Sequence, residues 1–195
     1  TISLLFLCFI SFSTLIYAQE GDSLKLAEAF NKALSSPDKK EIYLKQALHL
    51  KQKRNTKYVD EMYAYLNARY LFYTGDFDKA ETTILKQLKA DPKSKGKAKL
   101  YNILGTIHTM RQDYKIAISW YEKAIESYDQ NDDQKGAALV KSNIANIFFS
   151  LSDFESAFKH VNASYKTLKP INDSINLPNI AGVLSISEAK TGRYK

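Results

Sequence analysis

The sequence predicts an all-α fold, a right-handed solenoid of antiparallel helix hairpins, and two observations predict it. A small residue is followed nine positions later by an aromatic residue at four places along the chain. The four pairs are Ala68/Phe77, Gly105/Tyr114, Ala145/Phe154 and Ser185/Tyr194. An alanine stands three residues after each of the first three aromatics, with spacings of 37 and then 40 residues: Ala80, Ala117 and Ala157. A repeat period in the thirties to forties is typical of stacked helical hairpins.

The small residues are expected to lie where two helices cross. Antiparallel helices approach to about 8–10 Å only where the side chains at the crossing are small, a role that Gly105 and Ala117 fit. In the turn between them, Asp113 is placed to cap the second helix, and the ring of Tyr114 is expected to cover the crossing. One helical turn beyond each alanine, a large apolar residue is expected to wedge against the next hairpin. These residues are Ile84, Tyr121 and Val161.

These positions resemble the tetratricopeptide repeat family, whose loose consensus reads Trp-x2-Leu-Gly-x2-Tyr, then Ala-x3-Phe-x2-Ala, often followed by Pro. The clearest copy spans residues 98–129, and its consensus positions hold Tyr101, Leu104, Gly105, His108, Ala117, Tyr121 and Ala124. In a weaker copy over residues 61–92, Asn67 stands in the Leu position and Gln87 in the last small position. A third copy spans residues 138–168. The resemblance implies a scaffold that binds proteins or peptides.

The first 18 residues are predicted to be a secretory signal peptide whose basic start is missing. Residues 1–19 carry no charge, and Tyr17-Ala18 before a polar segment suits cleavage after Ala18. A retained membrane anchor is the alternative, although the apolar run is at the short end of the roughly 17–25 residues that span a bilayer. Cys8 is the only cysteine, so cleavage would leave a chain without disulfides. The sequence therefore predicts an exported protein of the periplasm or cell envelope.

The remaining residues are predicted to form one repeat domain in two parts. Residues 19–56 are interpreted as a degenerate hairpin that caps the array, and residues 57–195 as the array itself. Gly192 to Lys195 is the turn that should begin a further second helix, so we expect the last repeat to be truncated and the natural protein to continue.

The net charge of +7 favours a solvated basic surface over a nucleic-acid site. The lysines gather near acids in loops and outer helices, whereas nucleic-acid binding requires a basic stripe interleaved with aromatics. Anionic lipid or polysaccharide ranks below a protein partner. Contact with a membrane is expected only through an uncleaved N-terminal anchor or a span beyond Lys195.

No pattern in the sequence indicates catalysis, a metal or a cofactor. His49, His108 and His160 lie in different predicted helices without a paired ligand at metal-binding spacing. The acidic loop at residues 129–133 does not fit a calcium loop, because Gln134 and Val140 occupy the positions that need Gly and Glu. Trp120 is interpreted as packing between hairpins. We therefore predict no enzyme activity in these residues. A kinase domain beyond Lys195 remains an alternative that the sequence does not decide.

The inner face of the array, lined by the first helix of each hairpin, is the predicted binding groove. Its candidate residues are Met62, Tyr65, Arg69, Tyr73, Asn102, Thr106, Thr109, Ser142, Asn146 and Phe149. Arg69, Asn102 and Asn146 have the chemistry to hold a peptide carboxylate or main chain, and Tyr65 and Phe149 offer stacking faces. Some tetratricopeptide domains bind the C-terminal carboxylate of a peptide with Lys and Asn at fixed positions. In this sequence the Lys positions are not filled together, so that specificity is not predicted.

Two functional hypotheses follow. In the first, the chain is the exported sensing or interaction segment of a bacterial signalling protein, a sensor histidine kinase or a helix-turn-helix transcriptional regulator. In the second, it is a free envelope scaffold for protein assembly without an output domain.

Overall fold

A computed structural model describes residues 21–22, 24–54, 56–94 and 96–193. The predicted signal peptide with Cys8, and Tyr194 of the fourth predicted pair, lie outside the described residues. All regular structure within the described ranges is helical, which confirms the predicted all-α repeat fold. The helices group into two compact units that divide between Asp91 and Pro92. None of the helices in these ranges combines the length and the apolar character needed to cross a bilayer.

The first unit contains four α-helices. They are α1 (residues 24–35), α2 (Lys40–Arg54), α3 (Lys57–Tyr73) and α4 (Phe77–Ala90), with a short 3-10 helix at Pro37–Lys39 before α2. The core of this unit joins α1, α2 and α3 through Leu26, Phe30, Ala47, Val59 and Tyr70, all buried. The predicted boundary after residue 56 lies at the start of α3, where Thr56 Oγ1 accepts a hydrogen bond from Val59 N.

The second unit contains two hairpins and a further helix. These are α5 (Lys97–Met110) with α6 (Tyr114–Asp129), α7 (Gln134–Ser150) with α8 (Phe154–Leu168), and α9 (Leu177–Lys190). Tyr121 on α6 shares a buried core cluster with Val140, Ile144 and Ile147 of α7, and Val161 on α8 shares one with Ile180 of α9. Each of these two large residues therefore lies in a core that includes the next helix along the chain.

The turns that follow α3, α5, α7 and α9 repeat with the period of the sequence. Each contains a residue with positive φ: Gly75 (81°), Gln112 (64°), Ser152 (60°) and Gly192 (71°), at spacings of 37, 40 and 40 residues. The next residue's N–H bonds a carbonyl five residues back, as in Asp113 N to His108 O at 2.9 Å. This arrangement satisfies carbonyls that the helix end leaves open. Among these four residues, only Gly75 and Gly192 indicate the turn from the sequence, because glycine adopts positive φ without strain.

An aspartate precedes the second helix of three hairpins, at Asp76, Asp113 and Asp153. The sequence predicts a capping bond from Asp113, and that detail is wrong: its carboxylate makes no bond to the helix N-terminus. Asp113 Oδ2 instead lies 3.4 Å from Nδ1 of His108, which is 8% exposed. Asp153 does cap α8, since Oδ1 accepts from Ser156 N at 3.1 Å. Hydrogen bonds from Ser156 hold the pKa of Asp153 below its usual value.

Candidate functional site

The small residues of the repeat are buried inside the hairpins. Among the predicted repeat positions, those with no exposed surface are Ala68, Ala80, Leu104, Ala117, Ala124, Ala145 and Ala157. The aromatics at the turns, Phe77, Tyr114 and Phe154, are half-buried. Phe77 packs against Phe72 with ring centroids 5.5 Å apart, and Phe154 meets Phe149 edge-on at 5.6 Å. The small residues therefore build the scaffold and offer no surface to a ligand, and the half-buried aromatics lie at its turns.

The ring of Tyr121 fills the space that Gly105 leaves open. A Cβ placed on Gly105 would lie 2.5 Å from Tyr121 Cδ1 and from Cε1. The sequence pairs Gly105 with Ala117, whereas the atoms nearest to Gly105 belong to Tyr121. Gly136 and Tyr128 show the same relation, with a Cβ on Gly136 again 2.5 Å from the ring. The repeat spacing does not predict this second pair.

Thr106 and Thr109 turn their hydroxyls toward Tyr121. Tyr121 OH donates to Thr106 Oγ1 at 3.2 Å and lies 3.3 Å from Thr109 Oγ1. Burial raises the pKa of Tyr121, and the bonds to the two threonines act in the opposite direction. Both threonine hydroxyls also donate to carbonyls of α5, Thr106 to Asn102 O and Thr109 to Gly105 O. Thr106 is predicted to face the groove, but its hydroxyl makes hydrogen bonds within the α5–α6 hairpin.

The candidate residues of the first unit lie on one face of α3. Tyr65 is half-buried against the core, and Tyr73 is 64% exposed at the end of the helix. Arg69 Nη2 donates to Asn31 Oδ1 of α1 at 3.0 Å, and its guanidinium carbon lies 5.9 Å from the centroid of the Tyr73 ring. Arg69 is thus part of a contact between α1 and α3, a role that the sequence does not predict.

The candidate residues of the second unit lie on α5 and α7. Asn143 Nδ2 donates to Asn102 Oδ1 at 3.1 Å and so joins the two helices. Asn146, one turn further along α7, is exposed, and Phe149 is half-buried beside Phe154. Ser142 donates to Leu139 O within its own helix. The structure brings Asn102 and Asn143 together, and Asn143 was missed because its neighbour Ser142 fits the predicted groove register better.

His160 and Trp120 take part in packing. His160 stacks on Phe148 with centroids 5.6 Å apart, and burial lowers the pKa of this histidine. Across residues 21–193, apart from the three undescribed positions, no group of three metal-ligating side chains comes together. Trp120 stacks on Tyr101 at 5.7 Å, with Lys123 Nζ 4.1 Å from its ring centroid. Tyr101 belongs to the same hairpin, so this stack lies within one hairpin, and packing of Trp120 between hairpins stays a prediction.

Comparison with known proteins agrees with this architecture. Residues 98–131 match the family model of the tetratricopeptide repeat. The crystal structure of BtubC (BKLC) from P. vanneervenii is similar to the chain, with a TM-score of 0.62 and 18% sequence identity over 89% of this chain and 83% of that one. At that identity the likeness shows the fold alone. No curated protein sequence matches the chain.

The chain is therefore an all-α helical-repeat protein that contains a tetratricopeptide repeat, in the segment where the sequence places its clearest copy. Tetratricopeptide repeats are scaffolds for protein–protein interaction.

Proposed function

We propose that the chain binds a partner protein or peptide outside the cytoplasm, as the sensing or interaction segment of a bacterial signalling protein. The uncharged segment at residues 1–18 supports export. Among the described residues, the shared face of α5 and α7 supports peptide binding. The repeat fold supports a mechanism of shape complementarity without a chemical step.

The observation that carries the proposal is the row of amides along α5 and α7. Asn102 and Asn143 are half-buried and bonded to each other, and Asn146 continues the row into solvent. An amide side chain carries two donors and two acceptor sites, so the Asn102–Asn143 bond leaves capacity for a peptide main chain. Phe149 adds an apolar surface next to them. Such a row suits an extended segment that is held by its backbone.

Site-specific photo-crosslinking tests the proposal. A photoreactive amino acid at Asn146 should trap the partner in the native host, and the same group at Lys159, exposed on α8, serves as control. Mass spectrometry of the product identifies the partner. Asn146→Ala should then weaken binding of that partner about tenfold, the loss of one or two hydrogen bonds to the main chain, with unchanged far-ultraviolet circular dichroism.

Equal crosslinking from Asn146 and Lys159 would contradict the proposed face. The reading frame beyond Lys195 separates the signalling segment from the alternative, a free envelope scaffold. A membrane span followed by a kinase or a DNA-binding module favours the first, and a stop after a capping helix favours the second.

A further inference from the structure

The first unit contains a cavity of about 650 Å³ that lies outside the predicted groove residues. It lies between the C-terminal end of α2 and the α3–α4 hairpin. Its walls carry small and polar side chains together with balanced charges. The lining residues are Lys51, Lys57, Asp60, Glu61, Tyr63, Ala64, Asn67, Thr83, Lys86, Gln87, Ala90 and Asp91.

The repeat register explains why this space is open. Ala64 and Thr83, shifted by the 37-residue period, correspond to Tyr101 and Trp120 in the α5–α6 hairpin. Those two rings stack on each other with centroids 5.7 Å apart and an interplanar angle of 21°. The α3–α4 hairpin has the same helix pair but lacks both rings. Its cavity is therefore the place that two aromatic side chains fill in the next copy.

The side chains between the two helices are also altered. Asn67 and Gln87 line the cavity where the next copy has Leu104 and Ala124, both fully buried. The same 37-residue shift relates these positions. Two amides in place of apolar groups give the cavity hydrogen-bonding capacity that simple packing would not need. An occupant with both a flat apolar face and a polar atom matches such walls.

The charges at the cavity do not favour an ionic ligand. Three lysines and three acids line it, and ion pairs join Lys51 Nζ to Asp60 Oδ1 at 3.3 Å and Lys57 Nζ to Asp91 Oδ2 at 3.0 Å. Lys51 also lies 5.8 Å from the centroid of the Tyr63 ring, so an aromatic group is already accommodated at this edge. A neutral aromatic group suits this balance better than an anion or a cation.

We infer that the cavity receives a tyrosine or tryptophan side chain of the partner protein. The partner's ring occupies the position in the α3–α4 hairpin that corresponds to Tyr101 and Trp120 of the α5–α6 hairpin. Its hydroxyl or indole N–H donates a hydrogen bond to the amide oxygen of Asn67 or Gln87. The inference rests on the proposed function, since it names the partner chemistry that a second part of the scaffold recognises. It adds an anchor in the first unit that is independent of the amide row on α5 and α7.

Titration of the ¹⁵N-labelled protein with N-acetyl-L-tryptophanamide, followed by NMR, tests this inference. The blocked amino acid imitates a residue within a chain and carries no charge. We expect saturable shifts of the amide signals of Ala64, Asn67 and Thr83, with no shifts along α8. Ala64→Tyr, which restores a ring of the next copy, should weaken binding at least tenfold.

Thr82→Trp is the matched control, because this neighbouring residue is exposed on α4 and does not line the cavity. It should leave the affinity unchanged. If Ala64→Tyr fails to fold, Gln87→Ala is the second variant. It introduces the alanine that the next copy has at this position and keeps the cavity open. It should weaken binding severalfold, because it removes an amide that bonds the ligand.

Three results would overturn the inference: no saturable shift at the cavity, undiminished binding by a folded Ala64→Tyr variant, or binding of free tryptophan without the blocked form. The last would mark a site for a small molecule and not for a partner side chain. If the cavity binds no probe while crosslinking from Asn146 still traps a partner, only this inference fails. If both experiments fail, the proposed function fails too.

Discussion

The packing of the α5–α6 hairpin depends on Gly105, because the Tyr121 ring occupies the volume of any larger side chain at that position. We predict that Gly105→Ala destabilises the protein. The added Cβ would lie 2.5 Å from two ring atoms, and Tyr121 is held by two threonines and by α7. Overpacking costs about 1–3 kcal/mol, while alanine's helix propensity returns about 1 kcal/mol. Urea denaturation should show a net loss of up to about 2 kcal/mol.

Gly182→Ala is the control for this effect. Gly182 lies inside α9, and a Cβ there would have no neighbour within 4 Å. Only helix propensity changes, so this variant should gain about 1 kcal/mol. In a Tyr121→Leu background, Gly105→Ala should also become stabilising. If both glycine substitutions raise the stability of the parent protein, the ring does not limit position 105.

Asp173 provides a pH-dependent contact between the α8–α9 loop and α7. Its Oδ2 lies 2.9 Å from Lys135 Nζ, and its Oδ1 accepts from Asn176 N at 3.0 Å. The bond from Lys135, then that from the Asn176 backbone, lowers the pKa of this carboxyl from 3.8 to about 2. A group whose pKa falls on folding stabilises the protein above its unfolded pKa and loses that contribution as the pH drops toward the folded value.

We therefore predict that Asp173→Asn lowers the melting temperature at pH 7, and that the difference from the parent shrinks between about pH 4 and pH 2. Thermal unfolding followed by circular dichroism at several pH values measures this. Glu122→Gln, at an exposed residue of α6, is the control and should change little. A deficit of Asp173→Asn that stays constant down to pH 2 would show that the charge of Asp173 is not its cause.

At the scale of the helix hairpin, the turn has one geometry but different residues. Gly75 and Gln112 both have positive φ, at 81° and 64°, and close equivalent turns. The left-handed region costs a residue with a Cβ about 1–2 kcal/mol more than it costs glycine. We predict that Gly75→Ala destabilises by about 1 kcal/mol, and that Gln112→Gly stabilises by up to about 1 kcal/mol.

Chemical denaturation of the two single variants measures the change in the free energy of unfolding for each. A Cβ added at Gly75 would have no neighbouring atom within 4 Å, so a steric clash does not confuse its result. Opposite signs for the two variants are the expected outcome. A stabilised Gly75→Ala, or a destabilised Gln112→Gly, would mean that backbone strain does not govern these turns.

Periodicity predicts the helices well because every copy repeats the same spacing. The alanines at 80, 117 and 157 are buried where the pattern requires small side chains. The turn residues Gln112 and Ser152 were not predicted to adopt positive φ, since neither type signals it. The pairing of Gly105 with Tyr121 was missed as well. Spacing defines the face of a helix that a residue occupies, but the direction of a ring depends on tertiary packing.

At the scale of the whole molecule, the candidate site was less predictable than the fold. Asn146 is exposed, whereas Arg69 is bonded to Asn31 and the Thr106 hydroxyl to Tyr121. These partners are 38 and 15 residues away, so local pattern carries no information about them. The cavity beside Ala64 became interpretable only when its walls could be compared with the stacked rings of the next hairpin.

The uncharged N-terminal segment predicts where the molecule acts. Residues 2–18 are apolar or hydroxylated, and the chain becomes polar at Gln19-Glu20. Because signal peptidase cleaves after a small residue at the end of such a segment, the mature protein should begin at Gln19. Mass spectrometry of the protein purified from its host, together with cell fractionation, measures this. Ala18→Pro, which disfavours cleavage, is the matched variant and should retain residues 1–18.

The retained anchor predicts the opposite pattern. In that case the parent and Ala18→Pro would have the same N-terminus, and both would sediment with membranes because the apolar run stays attached. Cleavage, by contrast, removes Cys8, the only cysteine of the 195 residues, so residues 19–195 cannot form a disulfide among themselves. Residues 19–195, produced without the leader, should therefore melt at the same temperature with and without a reductant.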